Sequence, residues 1–240
     1  DQVYRIEWMQ HLFQYNNIQS LDIVQMPRMP TDILAFEGAL QFDGNPGNVP
    51  RVSRRWQLTN TRYLLGAAGL LNAVKLLDPE QQRFRPLMTF ECYKDRPDGP
   101  ILTRTNAAGP FALFEFTGAL PRARLYSKWQ VSTNDAATLK ELAAREFDPA
   151  KLVLVAEHLP PPDPAGATNA IEGAVEFVSY APKHIVLKAQ TAVPAVLLLN
   201  DKYDPNWQVL VDGHPAPLLR CNFIMRGVSL TPGSHMVEFH

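Results

Sequence analysis

Arginine and tryptophan carry the most specific chemistry near the end of this chain. In LLRCNFIMR, strict alternation predicts a strand with Leu219, Cys221, Phe223 and Met225 on one face. Arg220, Asn222 and Arg226 then share the other face. A guanidinium presents a planar fork of donors that matches a carboxylate or a phosphate. A face with two of them is therefore a candidate seat for a phosphate or an anionic glycan, and equally a plain solvated strand face. Trp207 opens the preceding stretch WQVLVDGHPAPLLR. Its ring suits stacking on a sugar, or packing at the start of a core strand.

Other reactive side chains form weaker patterns. His214, His235 and His240 sit on neighbouring turns without the spacing of a zinc site. Arg54, Arg55 and Arg62 flank Trp56 and allow either an anion site or a solvated surface. GLLNAVKLL has an apolar stripe that fits the core, or a membrane interface. Glu172 and Glu176 would share a helical face, but their surroundings read as strand. The chain has no G-x-S-x-G elbow, P-loop, G-x-G-x-x-G or H-E-x-x-H. No catalytic residue, metal-ligand set or cofactor is assigned.

The elements that must position these residues follow from periodicity. Asp212-Gly213 between alternating apolar residues is a hairpin turn, with glycine supplying positive φ. TDILAFEGALQF (31–42) reads as a helix behind Pro30, and Tyr4, Trp8, His11, Leu12 and Tyr15 are spaced for a shorter one, with a strand as the alternative there. Residues 54–65 turn strand-like toward their end, and 67–77 look helical. Residues 83–93 and 110–129 read as strands, the latter bent at Gly118–Pro121. TNDAATLKELAAREF (133–147) is the clearest helix, capped by Thr133 or Asn134 and stopped by Asp148-Pro149. KLVLVAE follows as a strand, giving a βαβ-like order. After LPPPDPAGATN the period becomes two, with turn signals at YAPKH, DKYDPN, VDGHPAP and TPGSH.

The expected fold class is α+β. An N-terminal mixed α/β part spans 1–158, a proline-rich linker 159–167, and a C-terminal antiparallel β-sandwich 168–240. Twenty-one prolines among 240 residues favour many short strands and ordered loops. Lys and Arg number 23 against 24 Asp and Glu, so nothing points to nucleic acid. Cys92 and Cys221 are either one long-range disulfide or two core thiols. No apolar run reaches the about 18 residues of a membrane helix. The start at Asp1 and the strand-like HMVEFH at the end predict a segment of a longer protein.

The phrase YDPNWQVLVDGHPAPLLRCNFIMRGVSLTPGSHMVEF (203–239) resembles the C-terminal signature of the YfhO-type bacterial membrane proteins. The matching residues are Tyr203, Pro205, Trp207; Val211, Asp212, Gly213; Asn222, Arg226, Gly227, Val228; and Pro232, Gly233, His235, Val237, Phe239. Weaker echoes lie at 16–28, 58–65, 112–126 and 146–157. The resemblance implies the soluble extracytoplasmic domain of a polytopic, cell-membrane glycosyltransferase-like protein acting on cell-envelope polymers. It also implies that the catalytic acids lie in membrane-domain loops outside this chain. The partners expected on this basis are the membrane domain of the same chain and a glycan or envelope polymer. The alternative is a secreted or surface-anchored carbohydrate-binding module.

Overall fold

The computed structural model describes residues 10–21, 28–45, 50–77, 82–161 and 173–240. Its helices, in chain order, are a 3-10 turn at Gln10–Asn16, then α1 (Thr31–Leu40), α2 (Pro50–Leu58), α3 (Leu70–Leu77) and α4 (Asp135–Ala143). The chain divides into two compact units, Asp1–Pro30 with Thr61–Ala119, and Thr31–Asn60 with Leu120–His240.

The first unit holds an antiparallel sheet of β1 (Tyr63–Ala67), β2 (Phe84–Tyr93), β3 (Leu102–Thr105) and β4 (Phe111–Phe116), ordered β1-β4-β2-β3. In β4 the alternate residues Ala112, Phe114 and Phe116 are buried, as one apolar face of a strand requires. Phe116 stacks on Phe84, and Phe111 on Phe90. The expected strand at 83–93 is found here, and that expected over 110–129 only in its first part, as β4; the strand residues of its remainder belong to the second unit. The strand character of 54–65 begins only at Tyr63; its first half is helix α2.

The second unit contains two sheets. One is ordered β5-β10-β14-β13-β7-β6 and the other β12-β11-β15-β9-β8. Their strands are β5 (Ala123–Tyr126), β6 (Trp129–Val131), β7 (Val153–Val155), β8 (Ala174–Ala181), β9 (His184–Thr191) and β10 (Ala195–Lys202). They continue with β11 (Val209–Val211), β12 (His214–Ala216), β13 (Leu219–Cys221), β14 (Met225–Leu230) and β15 (Gly233–Phe239). The expected βαβ order is present: β6 and β7 are parallel, with α4 between them in sequence. Asn134 is the cap, its side chain accepting from Ala137 N–H at 2.9 Å. At the other end of α4, Arg54 Nη1 donates to the carbonyls of Leu142 and Ala144 at 3.1 and 3.2 Å. A cation there also opposes the negative end of the helix dipole.

Strand β10 explains why the unit holds together. Ala195–Leu199 are all buried, because this continuous apolar run lies between β5 and β14 and is covered on both faces. Val196 and Leu198 join a cluster with Phe36, Leu40, Trp129, Leu142, Leu154 and Met225. Leu197 and Leu199 join another with Leu187, Val228, Val237 and Phe239.

Two expectations need correction. Sheet pairing runs across the boundary expected at 159–167: β10 pairs with β5, and Cys221 pairs with Val155. Backbone bonds and shared core therefore join residues on both sides of the proline-rich stretch, of which 162–167 lie outside the described residues. Second, 219–226 is not one strand. It is a hairpin, with Asn222 and Phe223 at φ 44° and 73° and Arg220 directly opposite Arg226. Two consecutive left-handed residues reverse the chain, and asparagine tolerates that region better than most. Tyr4 and Trp8 of the expected N-terminal helix also lie outside the described residues.

Candidate functional site

Of the four residues singled out for ligand binding, Trp207 and Arg226 come together. The Arg226 guanidinium lies 3.8 Å from the centroid of the Trp207 ring. Trp207 ends the Asp204–Trp207 turn, which leads into β11. Arg226 is on β14 and only 5% exposed. Opposite it on β10 the register shifts between Leu199 and Lys202. Such a bulge re-aims side chains, and Asp201 within it stands 3.8 Å from Arg226 Nη2.

Asp201 also receives Arg122, from Nε at 3.1 Å and from Nη2 at 2.5 Å. The Tyr180 hydroxyl, on β8, donates to Asp201 Oδ2 at 3.2 Å. It also accepts from Arg122 Nη2, whose guanidinium covers the Tyr180 ring at 4.4 Å. Burial pushes the Arg226 pKa down, with the Asp201 charge opposing it. Burial and the Asp201 charge both push the Tyr180 phenol up, while the Arg122 charge opposes them. The resulting group is Arg122, Tyr180, Asp201, Trp207 and Arg226.

Arg226 is poorly satisfied within this group. Its Nε and Nη1 are buried without hydrogen-bond partners. A guanidinium donates in its own plane, so an aromatic ring above it cannot satisfy those two N–H groups.

Arg220 and Asn222 do other work. Arg220 pairs with Asp135 at 2.8 Å, donates to the Phe223 carbonyl and stacks on the Phe223 ring at 4.6 Å. Asn222 is 1% exposed. Its Oδ1 accepts from Leu154 N–H at 3.0 Å, and its own N–H donates to Leu154 O at 2.8 Å. The amide thus stands in for a backbone carbonyl where the chain turns away, and it prolongs the β13–β7 pairing.

The hairpin turn at Asp212-Gly213 has φ 53° and 77°, the two positive angles that a tight two-residue turn needs. Asp212 Oδ1 accepts from Met236 N–H at 2.8 Å, and Oδ2 lies 2.8 Å from His235 Nδ1. His235 Nε2 lies 2.9 Å from the Thr231 carbonyl. Both ring nitrogens therefore face acceptors, which favours the imidazolium. The side-chain hydrogen bond to Asp212 raises the His235 pKa above its ordinary value. The Met236 N–H and then His235 hold the Asp212 carboxyl below its own.

The remaining candidates are committed elsewhere. His214 Nδ1 lies 3.0 Å from the Asp212 carbonyl, and His240 pairs through its backbone with Gln208. Arg55 pairs with Glu37 at 2.7 Å and Arg62 with Glu115 at 3.3 Å. Both cysteines are free thiols, and burial raises the pKa of each.

Sequence reasoning missed Arg122, Tyr180 and Asp201. Only Asp201 left a trace, as an acid ending the apolar run AVLLLND. Arg122 and Tyr180 lie far from it in sequence and meet it only through the sheets. Comparison with known proteins found no matching family model, no matching curated protein and no matching solved structure.

Proposed function

We propose that this chain is the extracytoplasmic domain of a polytopic, glycosyltransferase-like bacterial membrane protein of the YfhO type, and that it supports transfer without performing it. One observation carries the reading: the signature residues Asp212, Asn222, Gly227 and His235 are spent on the fold. Asp212 and His235 tie a turn to β15, and Asn222 ties a hairpin to β7. A Cβ on Gly227 would meet the Leu197 carbonyl at 2.7 Å. Such residues make a folding signature, as expected of a domain whose chemistry lies elsewhere. The two sheets of the second unit, sharing the core of Leu197, Leu187 and Phe239, are read as the layers of a sandwich.

The test is the location of the complete protein. Fractionation with protease protection should place it in the membrane, with this region cleavable from outside. Recovery in the soluble fraction would overturn the reading. A second reading, a carbohydrate-binding module, is favoured by the aromatic and guanidinium surfaces of Trp207, Tyr180 and Arg122. Binding of envelope glycan by the isolated chain, together with a protein that lacks membrane spans, would select it.

A further inference from the structure

We draw no further inference here: the strongest candidate, the exposed apolar patch of Tyr63, Leu65 and Met88 on one face of the β1-β4-β2-β3 sheet, carries nothing because nothing in the structure shows what covers it.

Discussion

The Asp212–His235 pair and the Arg226–Asp201 group both place ions on the same unit, yet they are built differently. At Asp212 each carboxylate oxygen has a donor, and each His235 nitrogen faces an acceptor. That arrangement is closed, and nothing in it invites a ligand. Around Arg226 the ion pair is loose and two buried donors are unfilled. A satisfied polar group stabilises its surroundings, whereas an unsatisfied one costs free energy unless something completes it. Asn222 Nδ2, in the hairpin that makes the fold, is likewise unfilled, so an unfilled donor marks a local cost and does not by itself mark a binding residue.

The largest expected effect tests the scaffold itself. Gly227→Ala would bring a Cβ to 2.7 Å from both the Leu197 carbonyl and the Cys221 sulfur, in a strand held between two neighbours. Overpacking of this kind costs about 3 kcal/mol, so the urea midpoint should fall with little change in slope. A variant as stable as wild type would show that β14 has room to shift.

Asn222→Ala comes next. It removes the acceptor for Leu154 N–H and puts an alanine at φ 44°, for a loss of about 2 kcal/mol. Asn222→Gly relieves only the backbone strain, so its urea midpoint should fall between those of wild type and the alanine variant. Equal midpoints for the two variants would mean that the side-chain bond contributes everything.

Trp207→Ala bears directly on the comparison. It removes the ring stacked on the face of the Arg226 guanidinium, and for a half-exposed ring the loss should be smaller, about 1 kcal/mol. A loss matching that of Gly227→Ala would place Trp207 with the scaffold instead.

The smallest effect is the most specific, because it depends on pH. His235 has a raised pKa, so its stabilisation is complete below the ordinary value of 6.5 and is lost as pH rises through the folded value. Asp212 is lowered, so its share is present above 3.8 and is lost as pH falls through the folded value. His235→Gln should therefore melt below wild type near pH 5 to 6. The gap should close as pH rises beyond the raised histidine value. A gap that stays constant with pH would show that the histidine acts as a neutral hydrogen-bonding group.

What the chain alone determined is local. Asn134 capped α4 and Asp212-Gly213 made the hairpin, because each depends on a few neighbouring residues and the angles they allow; the helix stop expected at Asp148-Pro149 came earlier, at Ala143, with Ala144 already extended. Alternation also located most of the strands. It misled at 219–226, where period-two reasoning cannot see that Asn222 and Phe223 both turn left-handed; the partner that makes this worthwhile, Leu154, is distant in sequence. For the same reason the proline-rich stretch looked like a boundary although β5, β6 and β7 pair into the sheet of β10, β13 and β14. Only the tertiary structure paired Trp207 with Arg226, spent Arg220 and Asn222 on the fold, and brought in Arg122, Tyr180 and Asp201. Those contacts depend on strand order, register and a bulge in β10, which are set by burial of apolar faces across the whole unit rather than by any short run of residues.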